Sequence, residues 1–512
     1  MRSTIFRTAQ AGLRSTSLRP VSQTQAPKLI LSSSRRTLSA TPVRRREEDE
    51  DRKWSTPLAK QLFEAINITG PIPLASYMRM CLTSDVGGYY TGAIEPGRDQ
   101  FGQKGDFITS PEISQVFGEL IGIWFVAEWM SQGRPRTGVE LIEVGPGRGT
   151  LMDDILRTIR NFKDMASAID AVYLVEASKE LRAAQKKLLC GEDAAMRESK
   201  EGWHSTCKYS HLPIVWTDSI KAVPPSASKT PFIVAHEFFD ALPIHAFQVV
   251  EVPPTQQPVT SSGSPRSAST NTSSPTRQWR EMVVSPTPEG TTHADLGTPK
   301  SSQHEPVPEF QLTLSPSQTR HALYLPESSP RYRALRSTPG ALIEVCPDAS
   351  LYISDFATRI GGSAAHPKPR PSGAALILDY GPADTIPTNS LRGIRKHARV
   401  SPFAEPGRVD LSADVDFLAL VEAATRASEG VECHGPVDQA RFLESMGIEH
   451  RADMLAKRAA GDDTKKTEIE RAWKRLVDRG PGGMGKVYKA LAILPENGGM
   501  RRPVGFGGDI GA

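Results

Sequence analysis

Three glycines alternate in the segment LIEVGPGRGTL, residues 141–151, and this spacing is the first feature that could support chemistry. An apolar run ends at Val144 and is followed by Gly145, Gly147 and Gly149. Glycine has no Cβ, so a glycine-rich backbone can approach a ligand closely. In open parallel sheets, ligands bind beyond the carboxyl ends of the strands. We therefore predict a strand-to-helix turn that holds a ligand.

Acidic residues follow the next two apolar runs. Glu176 ends the run AVYLVE, and Asp218 comes directly after PIVWT. A carboxylate at the first of these positions could accept hydrogen bonds from both hydroxyls of a ribose, and Asp218 would suit an adenine amino group. Asp218 taken alone fits an unrelated surface acid equally well. With Glu143 inside the first run, the set favours a nucleoside-containing cofactor.

The elements that would position these residues alternate between strand and helix. Apolar runs predict strands at 139–144, 171–176, 213–217, 231–236, 375–380 and 487–494, with helices starting near 149 and 178. This alternation is typical of βαβ units on a parallel sheet. A second glycine run, GPGGMGKVYKALAI from Gly480, is too close to the end for a kinase domain and is interpreted as a turn into the last strand.

The region before the first glycine turn is predicted to be helical, at 56–67 and 73–83, with a further helix that starts at Ser110, Pro111 and Glu112. We assign 56–135 to this N-terminal helical region and 136–495 to the main domain, with a tail at 496–512. Segments rich in Ser, Thr and Pro, at about 253–277 and 285–306, are predicted to be disordered insertions at a hairpin.

The chain of 512 residues carries a formal net charge of +4, but the excess comes from its start. Residues 1–38 contain six Arg, one Lys and no acidic residue, which is typical of a mitochondrial transit peptide. Residues 39–55 form a charged linker, and the rest of the chain offers no electrostatic argument for nucleic-acid binding. No transmembrane segment is predicted. The five cysteines are widely spaced and indicate neither a zinc site nor a disulfide framework, so no metal site is predicted.

Several blocks together resemble one known family. GDFITSPEISQVFGELIG, LIEVGPGRGTLMDDILR, VYLVEASKELRAAQKKLL, HEFFDALPIHAFQ and HGPVDQARFLESMGIEHR occur in the order that MidA-type proteins use, over roughly residues 56–495. The resemblance implies a class I S-adenosylmethionine-dependent methyltransferase: an α/β, Rossmann-like, mostly parallel sheet with an N-terminal helical segment and an inserted hairpin region. One departure is His236, where the family usually has Asn.

The resemblance also implies roles for residues. Gly145, Gly147 and Gly149 would bind the methionine end of S-adenosylmethionine, Glu176 its ribose and Asp218 its adenine. The further residues predicted to bind the cofactor are Gly105, Asp106, Thr109, Ser110, Pro111 and Glu143.

For activity, the resemblance implies a mitochondrial matrix enzyme that dimethylates an arginine symmetrically. The implied substrate is iron–sulfur protein 2, a core subunit of NADH dehydrogenase (respiratory complex I), and the methylation would serve complex I assembly. Carboxylates are the groups expected to orient a guanidinium and help remove its proton, because arginine is protonated at any ordinary pH. The candidates are Glu237 and Asp240, with Glu112 as a third. Glu237 could equally support the site without touching substrate.

Two alternatives remain at this point. One is a non-catalytic assembly factor that uses the fold as a binding module, and the other is a methyltransferase with a different acceptor.

Overall fold

The computed structural model describes residues 53–92, 105–252, 276–298, 300, 303–459 and 461–507. The predicted leader, almost all of the charged linker and most of the first insertion lie outside these residues. The strands are β1 (Ile72–Pro73), β2 (Val139–Val144), β3 (Ile169–Val175), β4 (Arg197–Glu198), β5 (Trp203–Thr206), β6 (Pro213–Thr217), β7 (Thr230–His236), β8 (His245–Val252), β9 (Thr276–Pro286), β10 (Phe310–Leu314), β11 (Leu342–Val345), β12 (Ala374–Tyr380), β13 (Arg392–Arg395), β14 (Ala398–Val400), β15 (Asp410–Ser412), β16 (Val431–Asp438) and β17 (Tyr488–Pro495).

The α-helices lie before, between and after these strands. They are α1 (Pro57–Thr69), α2 (Leu74–Thr83), α3 (Ser110–Ile113), α4 (Gln115–Ser131), α5 (Thr150–Ile159), α6 (Lys163–Ala168), α7 (Lys179–Cys190), α8 (Arg320–Tyr324), α9 (Pro330–Ala334), α10 (Pro347–Gly361), α11 (Phe417–Ala427), α12 (Gln439–Ser445), α13 (Ile448–Arg458) and α14 (Asp463–Val477). In the described part of the chain, none of these helices is long and apolar enough to cross a bilayer.

The main sheet has nine strands in the order β16–β17–β12–β7–β2–β3–β6–β5–β4. Strands β12, β7, β2, β3 and β6 run parallel, and β17 lies antiparallel between β12 and β16. Every residue of β2 and of β7 is buried. Apolar clusters cover both faces of the sheet, which explains why its central strands read as continuous apolar runs. The predicted α/β class with a mostly parallel sheet is confirmed.

The order of the strands creates a crevice. From β2 the chain moves outward on one side through β3 and β6, and then returns on the other side through β7 and β12. The loops that leave β2 and β7 therefore diverge at the carboxyl ends of the strands, and such a switch point is where open α/β sheets bind ligands.

Most strands of a second sheet come from the segment between β7 and β12, and β1 joins it from the N-terminal region. The order is β1–β9–β8–β11, and β10 also pairs with β9. Strands β8 and β9 form an antiparallel hairpin in which Val252 is opposite Thr276. Strands β13, β14 and β15 form a third, three-stranded sheet.

The predicted N-terminal helices are present as α1 and α2. Thr56 caps α1 by accepting a hydrogen bond from the Ala59 backbone N–H at 3.0 Å, and Pro57 occupies the first turn. The helix predicted to start at Ser110 is present as α3, but its continuation as one helix through the apolar residues that follow is wrong, because α3 ends at Ile113. Ser114 has an extended backbone and caps α4, its hydroxyl accepting from the Val116 N–H at 3.3 Å.

The second predicted insertion, at 285–306, is also wrong as a structureless segment in its described part. Strand β9 continues to Pro286, and the backbone N–H of Thr287 donates to the Glu309 carbonyl at 2.8 Å. Asp295 then closes a turn by accepting from the backbone N–H of Thr292 at 2.8 Å. Side-chain to backbone bonds of this kind order a polar segment without an apolar face.

Candidate functional site

A cavity of about 1350 Å³ opens at the carboxyl ends of the central strands. The turn after β2, the end of β3 and the loop after β7 line one part of it. The remainder is lined by residues of the α2–α3 segment, by the loop after β12 and by the start of β17. Residues that are far apart in the sequence therefore meet at the switch point of the sheet.

The glycine turn has the conformation that its sequence predicts. Gly145, Gly147 and Gly149 have φ values of 67°, 53° and 86°, in the region that favours glycine. Gly149 precedes the first residue of α5, whose free N–H groups face the carboxyl end of the sheet. A Cβ on Gly145 would lie 2.6 Å from Cδ2 of Phe238, so the turn also needs glycine for lack of space.

Glu176 lies beside this turn, and Gln185 connects the two. The Glu176 carboxylate accepts from the Ser178 backbone N–H at 2.8 Å and from the Gln185 amide at 3.2 Å. The same Gln185 amide nitrogen donates to the Gly147 carbonyl at 2.6 Å, and its oxygen accepts from the Trp216 indole at 2.9 Å. Burial raises the pKa of Glu176 to about 7. The carboxylate is thus held in a fixed position on the cavity wall.

Glu143 is the buried acid of β2. Burial, with a further contribution from the charge of Glu176, raises the pKa of Glu143 to about 8. Its Oε2 atom has no hydrogen-bond partner among the described residues although Glu143 lines the cavity. A cationic or hydrogen-bond-donating ligand would satisfy this atom. The methionine end of S-adenosylmethionine is such a ligand, so the residues present fit that cofactor.

Asp218 lies at the rim of the cavity. Its side chain is 76% exposed and forms an ion pair with Arg182. Arg182 also donates to the Glu176 carbonyl at 3.4 Å, which ties the rim to the end of β3. The position agrees with an outer contact to the cofactor, and the role of Asp218 stays a prediction.

The residues predicted between Gly105 and Glu112 divide into two groups. Thr109, Pro111 and Glu112 line the cavity, whereas Gly105, Asp106 and Ser110 do not. Asp106 accepts from the Tyr89 hydroxyl at 2.8 Å and from the Lys396 backbone N–H at 2.9 Å, so it joins this segment to the three-stranded sheet. Both oxygens of Asp106 therefore bond to the protein outside the cavity lining, and its contact with a cofactor stays a prediction. Gly149 likewise shapes the turn from behind rather than lining the cavity.

Glu112 has a structural use in α3. Its carboxylate accepts from the Thr109 backbone N–H at 3.3 Å, in a reciprocal cap of the helix start, and lies 3.6 Å from the Arg148 guanidinium. These contacts hold α3 against the glycine turn. They leave Glu112 less suited to a catalytic role than the acids after β7.

The loop after β7 carries the two main catalytic candidates. Glu237 has a φ of 48°, a strained value for a residue with a side chain, and its N–H donates to the Leu378 carbonyl at 2.9 Å. Asp379 fixes the following turn, because its Oδ2 accepts from the backbone N–H groups of Phe238, Phe239 and Asp240 at 2.8–3.3 Å. The neighbouring strand therefore sets the direction in which Glu237 and Asp240 project into the cavity.

The Glu237 carboxylate is buried and only partly hydrogen-bonded. Burial, followed by the charges of Asp240 and Asp379, raises the pKa of Glu237 well above its usual value. The nearby Tyr488 hydroxyl and Ser110 backbone N–H stabilise the charged form and oppose part of this rise in the pKa. The Oε1 atom of Glu237 has no hydrogen-bond partner among the described residues. A buried acceptor of this kind is satisfied by a ligand with N–H donors.

Asp240 belongs to a second polar group on the same wall. Burial raises the pKa of Asp240, while a hydrogen bond from Tyr380 and the charge of Arg392 oppose that shift. The Arg392 guanidinium lies 4.3 Å from the centre of the Tyr380 ring. Burial, followed by the charge of the nearby Asp240, raises the pKa of Asp410 to about 7. This part of the cavity wall therefore combines several carboxylates with the Arg392 guanidinium.

His236, the residue that departs from the resembled family, is neutral. Burial lowers the pKa of His236 to about 3. Its ring packs edge-on against Phe117, and its Nε2 atom lies 3.5 Å from Oε1 of Glu237. An imidazole held neutral in this position adds a polar atom to the cavity without adding a charge.

Four residues that organise this site were not predicted from the sequence: Gln185, Asp379, Tyr380 and Tyr488. Asp379 and Tyr380 end the predicted strand ALILDY, and Tyr488 begins the last strand, so both positions are strand ends at the sheet's ligand edge. Gln185 had no signal, because only the fold brings the middle of α7 against the glycine turn.

Together the sheet, its switch point and the cavity define an α/β methyltransferase that uses S-adenosyl-L-methionine. A family model described as "Putative S-adenosyl-L-methionine-dependent methyltransferase" matches residues 120–437. The chain belongs to this family, the MidA-type methyltransferases, and S-adenosyl-L-methionine is its cofactor.

Relatives and solved structures agree with this assignment. The chain is 35% identical over 445 residues to "Protein arginine methyltransferase NDUFAF7, mitochondrial" of Rattus norvegicus, covering 86% of this chain and 85% of that protein. The human protein of the same name is 34% identical, with 86% and 84% covered. A structure described as a "likely methyl transferase from Burkholderia thailandensis bound to S-adenosyl-homocysteine" has the same fold, with a TM-score of 0.60 at 21% identity, and the match covers 87% of this chain and 92% of that one.

Proposed function

We propose that this chain is a mitochondrial protein arginine methyltransferase that dimethylates an arginine symmetrically on a complex I core subunit, iron–sulfur protein 2. The observation that carries the arginine assignment is a pair of carboxylates, the buried Asp240 and Glu237 with a side chain only 10% exposed, in the same cavity as the glycine turn. The names of the relatives support arginine as acceptor and mitochondria as location. The basic leader supports import into the matrix.

Three parts of the cavity would bind the three parts of the cofactor. The glycine turn and the orphaned Oε2 of Glu143 would hold its methionine end, Glu176 its ribose, and the rim at Asp218 its adenine. When bound, S-adenosyl-L-methionine supplies a methyl group on a sulfonium, which transfers to a nitrogen by an in-line displacement.

The acceptor nitrogen is prepared by the acids after β7. Glu237 and Asp240 bind the planar guanidinium and fix its direction, because carboxylates match its fork of N–H donors. Their charge favours the resonance form that carries the cation on the far nitrogen. As the new N–C bond forms and the S–C bond breaks, the electron pair of that bond stays on sulfur, and the displaced guanidinium proton passes to a carboxylate. The raised pKa of Glu237 suits it to hold that proton.

Mass spectrometry of complex I core subunits tests the proposal directly. Cells with the gene should carry symmetric dimethylarginine on iron–sulfur protein 2, and cells without it should carry unmodified arginine at that position. Re-expression of the natural chain should restore the mark. An unchanged mark after gene loss would contradict the substrate assignment.

The two alternatives predict different results in the same cells. If the protein is a non-catalytic assembly factor, a variant that cannot bind the cofactor should restore complex I as well as the natural chain does. A methyltransferase with another acceptor would leave the arginine unmodified but still lose a different methyl mark. The orphaned acceptors of Glu143 and Glu237 favour the catalytic proposal, because a pure binding module has no need of unsatisfied buried carboxylates.

A further inference from the structure

Three side chains that could ligate a metal converge outside the cavity. His245 is the first residue of β8, Glu281 lies in β9, and His321 lies in α8. One ligand atom from each lies within 4.8 Å of the other two. None of the three lines the cavity described above.

The distances within the cluster are short. Nδ1 of His245 lies 2.7 Å from Oε1 of Glu281, and Nδ1 of His321 lies 3.3 Å from the same carboxylate. The rings of the two histidines are 4.3 Å apart between centroids. Both imidazoles therefore turn the same nitrogen toward one carboxylate. Ligand atoms around a four-coordinate Zn²⁺ ion, with bonds of about 2.0–2.2 Å, lie about 3.3–3.6 Å apart. The His321 distance already has this value, and the His245 distance, which is that of a hydrogen bond, would lengthen when an ion replaces the shared proton.

The Glu281 carboxylate is completely buried, and its charge needs compensation. Burial by itself raises the pKa of Glu281, but hydrogen bonds from His245 and Thr319 outweigh burial and lower it. A divalent cation held between this carboxylate and the two imidazoles would compensate the buried acid and would use the convergence of all three ligand atoms.

We propose that His245, Glu281 and His321 bind one structural Zn²⁺ ion. Two imidazole nitrogens and one carboxylate oxygen form a ligand set that suits zinc and disfavours Mg²⁺ or Ca²⁺, which prefer oxygen. The His321 side chain is 47% exposed, so the ion can enter from solvent and take a water as its fourth ligand.

The ion fastens α8 to the β8–β9 hairpin. Helix α8 has only five residues, too few to be stable alone. Strand β8 starts shortly after Asp240, so an ion bound here would also stabilise the hairpin that follows the loop carrying Glu237 and Asp240. The site acts on stability rather than on chemistry, because it lies outside the cavity.

Metal binding by the purified full-length chain tests this proposal. After removal of metal with a chelator, titration with Zn²⁺ should give one equivalent bound, and Co²⁺ should give the visible absorption of a four-coordinate site. Mg²⁺ should not compete. Zinc should also raise the Tm of the metal-free chain, a readout that is independent of methyl transfer.

Variants then assign the ligands. His321→Ala removes an exposed side chain and Glu281→Gln removes the charged ligand, and each should weaken zinc binding by about tenfold or more. His366→Ala, at an exposed histidine outside the cluster, is the matched control and should bind zinc like the natural chain. The absence of stoichiometric zinc binding, or equal affinity in all four proteins, overturns the proposal. Because His321 is exposed, its variant remains informative if Glu281→Gln fails to fold.

Discussion

At the scale of single residues, the site depends on carboxylates kept away from water. Glu143, Glu176, Glu237 and Asp240 all have raised pKa values, and burial is the first cause for each. Desolvation disfavours the charged form of an acid, so each holds its proton more tightly than it would in water. Cationic groups on two ligands, a sulfonium and a guanidinium, would reverse these shifts. Ligand binding and proton release are therefore coupled in this cavity.

Glu237→Gln and Asp240→Asn test the acceptor pair. Each amide keeps the size of the side chain but removes its charge and its capacity to accept the guanidinium proton. We expect kcat for arginine methylation to fall by about 10²-fold or more in each variant. Affinity for S-adenosylhomocysteine, measured by calorimetry, should stay within about twofold of that of the natural chain, because neither acid belongs to the proposed cofactor site. Full activity in both amides would show that the acids do not touch the substrate.

The Glu176 carboxylate predicts a pH dependence of cofactor binding. Its pKa is raised to about 7, so the ionised form that can accept from both ribose hydroxyls is present above that pH and is lost as the pH falls through it. Affinity for S-adenosylhomocysteine should therefore rise about tenfold between pH 6 and pH 8. The matched control is Glu176→Gln, which should bind more weakly and with a flatter profile. An equally steep profile in that variant would place the titration elsewhere.

At the scale of elements, strand ends and the turns after them determine the site. The turn after β2 is bent by positive φ values, and the turn after β7 is fixed by a carboxylate from β12. These two turns meet where Gly145 faces Phe238. The glycine turn and the loop after β7 therefore lie close together at Gly145 and Phe238, and a change in one should affect the other.

Gly145→Ala tests that contact. The new methyl group would lie 2.6 Å from Phe238, at a backbone conformation that alanine adopts poorly. We expect the free energy of unfolding to fall by about 2–4 kcal/mol from the combined strain and overlap, together with lower cofactor affinity.

Gly133→Ala is the control for the backbone strain alone. Gly133 has a φ of 86° and nothing within 4 Å of its Cβ position. It should lose only about 1 kcal/mol and keep its cofactor affinity. Chemical denaturation and calorimetry on both variants give the comparison. Equal losses of unfolding free energy in the two variants would mean that overlap with Phe238 does not contribute to the effect of Gly145→Ala.

At the scale of the whole molecule, the sequence predicts the central sheet far better than its surroundings. Buried parallel strands such as β2 and β7 are continuous apolar runs, and their limits were predicted within a residue. The inserted hairpin was predicted and is present as β8 and β9. The other strands of the small sheets, β16 and the helices α10–α14 carried weaker local patterns and were not predicted. Glu176 and Glu237 were found because they stand at strand ends. Gln185 and Tyr488 were not, because their partners are defined only by long-range packing.

Replacement of the region between β8 and β9 tests whether it contributes to cofactor binding. Because Val252 is opposite Thr276, an Asn-Gly pair can replace residues 253–275 as a two-residue hairpin turn. S-adenosylhomocysteine at about 100 times its Kd should stabilise both the shortened and the natural chain by about 2.7 kcal/mol. Thermal unfolding with and without ligand measures this. A shortened chain that folds but gains nothing from the ligand would show that the replaced region belongs to the cofactor site.

The position of β17 has a consequence for how the molecule is made. This strand comes last in the chain, yet it fits between β12 and β16 and brings the Tyr488 hydroxyl to Glu237. A nascent chain, or one still threading through a translocation pore, keeps an open slot in its sheet until residues 488–495 emerge. Until then the edges of β12 and β16 are unpaired, and unpaired strand edges promote aggregation. A premature stop before Tyr488 would therefore leave β12 and β16 without the strand that lies between them.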